Sequence, residues 1–238
     1  MSFQKSNALD SCSVFLRHIP ARVASVVTRS LVENRAPIAL PYVDAVQEAV
    51  VADIHISNLH QLFKVADFSA DDRLFFENII RAVARTGGDL VSLTPQGIKV
   101  VWSSADPVAT TSKELLSFAT VCTFEVQEMV GKGSAATTGS NDAPATVKAG
   151  IAMGRVAIVH AGGRNGHKRH VVVGGPAYHA AADGLRLAGA GEVAVCPESF
   201  KVLQENFQHR AMRQRFYVLL RNRDALKQAR CCTLPIAA

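Results

Sequence analysis

Gly87-Gly88-Asp89-Leu90-Val91-Ser92-Leu93-Thr94-Pro95-Gln96-Gly97-Ile98-Lys99-Val100-Val101-Trp102 reads as a helix stop followed by a β-hairpin. The paired glycines end the helical pattern before them, because glycine enters the positive-φ conformation of a helix C-terminus without steric cost. Leu90 to Leu93 and Ile98 to Trp102 are apolar, strand-forming runs, and Thr94 to Gly97 between them turns the chain. Asp89 falls before the first run and reads as a turn residue.

The pattern extends outward on both sides. Upstream, 69–85 predicts a helix capped by Ser69 or Asp71, with Leu74, Phe75, Ile79, Ile80 and Val83 as its stripe. Before it, 46–56 ends in a β-branched run expected to be a buried strand. Downstream, Asp106-Pro107 opens a second helix over about 112–130, carrying Leu115, Leu116, Phe118, Val121, Phe124, Val126 and Met129. Gly131 to Thr146 is rich in Gly, Ser, Ala and Thr and is expected to be a loop. Val147 to Val159 predicts a strong strand, 162–169 a glycine-rich basic turn, and Val171 to Val173 the partner strand. Ala177 to Leu187 predicts a helix, Glu192 to Cys196 a short strand, and Pro197 to Asn206 another helix. Such an alternation predicts an α+β fold, a largely antiparallel sheet with helices packed on it. The expected organisation is an N-terminal leader packing on the domain (1–40), a domain over 41–205, and a basic C-terminal segment (206–238).

Composition narrows the function classes. With 48% hydrophobic and 19% charged residues, 238 residues hold ample material for a core. No run of about 18 apolar residues occurs, so no membrane span is expected. Cys12, Cys122, Cys196, Cys231 and Cys232 form no C-x-x-C pair, which excludes a zinc ribbon or a disulfide framework and fits a reducing, cytoplasmic setting. A net charge of +6 favours an acidic partner such as nucleotide phosphates, nucleic acid or an acidic protein surface. Residues 11–32 carry Arg17, Arg22 and Arg29 without an acid, a composition that loosely resembles mitochondrial presequences, although a structured leader packing on the domain is the preferred reading.

Three blocks, in order and over roughly residues 40 to 205, resemble the catalytic domains of class III nucleotidyl (adenylate/guanylate) cyclases, the soluble adenylyl cyclases nearest among them. Ala49-Val50-Val51-Ala52-Asp53-Ile54 resembles the family's opening strand. Gly87 to Trp102 is similar to its G-G-x-x-(L/V)-K-x-x-G-D-A-x-L-A-x-(F/W) hairpin. Gly150-Ile151-Ala152-Met153-Gly154-Arg155-Val156, followed by Val173 to Asp183, resembles its (V/I)-G-(I/L)-x-x-G-x-V strand and G-x-x-V-N-x-A-x-R helix. The resemblance implies a βαββαβ, ferredoxin-like core that dimerises head to tail with sites at the interface. It also implies two Mg²⁺ or Mn²⁺ ions held by two carboxylates, for attack of a ribose 3′-oxygen on the α-phosphate.

Residue by residue, the resemblance places little of that chemistry here. Asp53 matches the first metal carboxylate, although a capping Asp at a strand end is an equal reading. Gln96 stands where the second carboxylate belongs, and a neutral amide is a poor ligand for a hard dication. Ile56 occupies the glycine of the phosphate loop, where a β-branched residue disfavours the turn. Ser92 replaces the base-reading lysine, and Val172 the Asp or Thr beside it. His179 stands at the asparagine position and Asp183 at the arginine position, reversing its charge. Arg186, one helical turn on, could substitute, and His179 could carry a proton.

These departures predict a catalytically inactive cyclase-like domain serving as a structural or regulatory subunit of a larger assembly, with no cofactor. Its expected partners are other protein subunits, another cyclase-like chain through the family dimer surface among them. One alternative is half of a heterodimeric adenylyl cyclase making cAMP from ATP, with Mg²⁺ or Mn²⁺ on Asp53. A second is a basic module for RNA or an acidic protein surface. It would use Arg164, His167, Lys168, Arg169 and His170, with Arg210, Arg213, Arg215, Arg221, Arg223, Lys227 and Arg230. A cilium, flagellum or mitochondrion is a further address beside the cytoplasm.

Overall fold

A computed structural model describes residues 42–59, 70–103, 111–137, 145–162, 169–212 and 216–220. The expected leader, Ser69, Asp106-Pro107, the turn residues 163–168 and the basic residues from 221 onward lie outside them. The chain order is β1 (Tyr42–Ile56), α1 (Ala70–Arg85), β2 (Asp89–Thr94), β3 (Gly97–Ser103), α2 (Ser112–Thr137), β4 (Val147–Gly162), β5 (Arg169–Gly174), α3 (Pro176–Leu187), β6 (Val193–Val195), α4 (Pro197–Leu203), β7 (His209–Ala211) and β8 (Tyr217–Leu219). The architecture is α+β, as expected. Its sheet runs β2-β3-β1-β4-β6-β8-β7, with β5 on the far half of β4, and every described pairing is antiparallel except β4 with β6.

β1 is central, and the sheet is covered on both sides near it. Val50, Ala52, Ile54 and Ile56 point into a core with α1, α2 and α4, while Ala49 and Val51 point into a second core under α3. Burial on both faces is why 49–54 reads as a continuous apolar run rather than an alternation. The run is broken once, by Asp53.

α2 is the most deeply set helix. Leu116, Ala119, Cys122 and Val126 are fully buried, and its buried threonines, Thr120 and Thr123, donate to the carbonyls of Leu116 and Ala119. A capping box opens it, with the Thr111 N–H donating to Glu114 Oε2 at 2.8 Å and the Glu114 N–H to Thr111 Oγ1 at 3.3 Å. Trp102 is sealed between hairpin and helices and donates to Thr86 Oγ1 at 3.3 Å.

Several boundaries differ from the sequence reading. α2 continues through Gly131 to Thr137, so the expected loop begins later. Helix glycines cost only about 1 kcal/mol each, less than the buried turns before them contribute. On α1 the buried stripe is Asp72, Phe76, Ile79, Ala82 and Val83, and Leu74 is 51% exposed. Leu74 lies roughly half a turn from Phe76, so its apolarity misled the phase. Asp89 is buried and opens β2 instead of turning before it. α4 stops at Leu203, short of Asn206. Finally, β7 and β8 extend the sheet to Leu219, past the boundary expected at 205. Among the described residues, no helix is long and apolar enough to cross a membrane.

Candidate functional site

The end of β1 brings most of the implicated residues together. Asp53 pairs in register with Lys99 on β3 and Gly150 on β4; His55 pairs with Gly97 and Lys148. Residues opposite one another in a ladder share a face, so Asp53, His55, Lys99 and Lys148 all project to the side where α3 packs. Asp53 is only 8% exposed. Its carboxylate accepts a hydrogen bond from the Lys99 ammonium. That ammonium also lies over the Tyr178 ring from α3, 4.7 Å from its centroid, where the ring's negative face attracts it. Sequence reasoning singled out neither Lys99 nor Tyr178. The available signal was a lone lysine inside the apolar run Ile98 to Trp102.

Ser92, at the position where the resemblance expects a lysine, is the direct ladder partner of Lys99. The positive charge absent from β2 is therefore present on β3, directly across, and engaged with Asp53. His55 is held below its ordinary value of 6.5, chiefly by burial and next by the Lys148 ammonium, against the opposing pull of Asp53.

Gln96 is exposed at the tip of the β2–β3 turn, where its N–H meets Thr94 Oγ1 at 3.3 Å. Gly97 must be glycine: its φ is +154° and a Cβ there would strike the Ile54 carbonyl. This close approach lets the Ile56 N–H donate to the Gln96 carbonyl at 3.1 Å, while the Ser57 N–H donates to the Thr146 carbonyl at 2.9 Å. Two of the backbone donors beyond Asp53, those of Ile56 and Ser57, are thus spent inside the chain.

The second group of residues sits on α3 and β5. His179 is exposed, edge-on to Tyr178 with ring centroids 6.1 Å apart. Asp183 accepts from Arg186 one turn along the same helix at 2.6 Å, so the two charges pair within α3. Val172 is 57% exposed on β5. The structure thus gathers Asp53, Ser92 and Gln96 at one hairpin end, and sets Asp183 and Arg186 apart as their own pair. A hollow of about 500 Å³, lined by Gln204, Asn206, Phe207, His209 and Leu220 among others, lies at the β7–β8 edge, separated from β1 by β4 and β6.

A divalent ion does not fit this donor set. Asp53 is bonded to an ammonium, Gln96 offers a single neutral oxygen, and the described residues contain no group of three His, Cys, Asp or Glu side chains arranged to hold a metal.

No family model and no curated protein matches the sequence. Solved structures do match the fold. The chain is similar to the adenylyl cyclase CyaB from P. aeruginosa at 12% identity and a TM-score of 0.59, over 76% of this chain and 97% of that one. It is similar to the guanylate cyclase domain of RhGC from Catenaria anguillulae, solved in complex with GTP, at 14% identity and a TM-score of 0.56, over 75% and 100% of the two chains. A bacterial light-regulated adenylyl cyclase aligns at 16% identity and a TM-score of 0.60, over 94% of this chain and 66% of that one. The chain therefore has the fold of the class III adenylyl and guanylyl cyclase catalytic domains.

Proposed function

We propose that this chain is a cyclase-fold domain without cyclase chemistry, retained as a structural or regulatory subunit of a larger protein assembly. The observation that carries the reading is the bonding beyond Asp53, where the Ile56 and Ser57 N–H groups donate to carbonyls of the same chain. Preorganised donors aimed at a phosphate supply much of the barrier lowering in phosphoryl chemistry. Donors already spent on the fold supply none. The replacement of the family arginine by Asp183 supports the reading further, since the Asp183–Arg186 pair presents no free guanidinium to a polyphosphate.

The partner in this reading is a protein, a second cyclase-like chain included, docking on the sheet and helices of the fold. Retention of a fold after loss of its chemistry points to binding, and that step is analogy. The test is direct. Purified full-length chain is incubated with ATP or GTP and Mg²⁺ or Mn²⁺, and cyclic nucleotide is quantified. No product above the protein-free blank is expected. Turnover that disappears in Asp53→Ala overturns the reading, and product formed only on mixing with a second cyclase-like chain favours the heterodimeric enzyme instead.

A further inference from the structure

Asp53 is the sole acid in the buried stretch 49–54 of β1, and few groups there can balance its charge. On one side the β4 neighbour is Gly150, which has no side chain and is covered by the main chain of α3 at Ala181 and Leu185. On the other side is Lys99, whose ammonium bonds the carboxylate and rests on the Tyr178 ring, with its side chain only 26% exposed. Lys99 is therefore the positive charge that compensates Asp53.

We propose that Lys99 is a resident cation: its ammonium takes the place of the divalent metal at Asp53 and makes this site refuse divalent ions. The inference rests on the preceding reading only in placing the fold's metal position at Asp53. Any ligand that approaches Asp53 then meets a fixed monovalent charge in place of an exchangeable dication. A metal approaching Asp53 has to displace an ammonium held by two partners, a carboxylate and a ring face, and works against its charge at close range. Once there it would find one carboxylate, far short of the six or more oxygens a hard dication takes. The lysine also completes its own interactions inside the fold, so the carboxylate is compensated with no ion taken from solution.

The experiment compares the full-length wild type with Asp53→Asn, Lys99→Met, Lys99→Arg and the double variant Asp53→Asn/Lys99→Met. Bound Mn²⁺ is counted by the loss of the free-ion electron paramagnetic resonance signal, and melting is followed across a MnCl₂ titration. Wild type and Lys99→Arg are expected to hold Mn²⁺ at Asp53 too weakly for the ion to move their melting. Lys99→Met is expected to bind Mn²⁺ about tenfold more tightly than wild type or better, because the opposing charge is gone. Its Tm is expected to rise with the ion, by the mass action of a ligand that binds only the folded state. The double variant is expected to lose both effects. Should Lys99→Met fail to fold, Lys99→Gln replaces it.

Mn²⁺ bound by the wild type and lost on Asp53→Asn overturns the proposal, as does Lys99→Met binding no better than wild type. The two readings fail separately. Wild-type Mn²⁺ binding without cyclic nucleotide removes the resident cation and leaves the non-catalytic domain standing. Wild-type turnover with no Mn²⁺ held at Asp53 does the reverse.

Discussion

Gly150→Ala tests how α3 is seated over the candidate site. Gly150 lies on β4 beside Asp53, and a Cβ there would run into the Ala181 carbonyl and the Leu185 amide nitrogen of α3. Both atoms are main chain, so no rotamer change relieves the contact. The helix has to lift by more than about 1 Å to regain ordinary contact near 3.5–4.0 Å. Lifting opens the core that Ala177 and Ala181 form with Val51, Ala152 and Ala194, and withdraws Tyr178 from Lys99. Overpacking costs about 1–3 kcal/mol, and a backbone-on-backbone clash belongs at the upper end. The gain from restricting the unfolded chain, about 0.4–1 kcal/mol, offsets part of that. A net loss of about 2 kcal/mol follows, equivalent to roughly 4–8 °C in Tm for a chain of this size. Urea denaturation with an unchanged slope is the assay. Gly131→Ala is the control, because a Cβ in that helical position meets nothing within 4 Å and is expected to stabilise by up to about 1 kcal/mol. A Gly150→Ala loss below about 0.5 kcal/mol, within the range of an ordinary surface change, refutes the packing argument.

Trp102 is the only tryptophan and is fully buried, so native fluorescence is expected to be blue-shifted and protected from iodide, with Trp102→Ala costing about 3–5 kcal/mol by denaturant titration. His55, held below 6.5 by burial and Lys148, protonates more readily in the unfolded chain than in the fold. Its contribution is therefore present above about pH 6.5 and lost as pH falls through the lower folded value, and His55→Asn is expected to flatten the decline in stability below about pH 6.5. Cys122 is fully buried and its thiol is pushed up to about 12, so iodoacetamide is expected to modify it only after unfolding, as read by mass spectrometry.

The helix stop at Gly87-Gly88, the hairpin after it and the strand around Asp53 were all legible in the chain, because each is a local pattern of glycine, turn and apolar residues. Boundaries failed where tertiary contact outweighs local preference, at the end of α2, in the phase of α1 and in the late strands β7 and β8. Three-residue strands such as His209–Ala211 carry too little periodicity to be read, and join the sheet only because a neighbour offers its edge.

What the sequence alone determined is which side chain stands at each position: Gln96 is no carboxylate, Asp183 no guanidinium and Ile56 no glycine, whatever surrounds them. What the tertiary structure decided is what the remaining groups touch. Asp53 meets Lys99 because β3 lies beside β1 in one register, and a shift of one residue would send Lys99 to the opposite face. Tyr178 reaches that lysine because Gly150 lets α3 settle on β4. Side-chain identity belongs to a single position, whereas partnership depends on ladder register and helix seating, which are set by packing across the whole sheet.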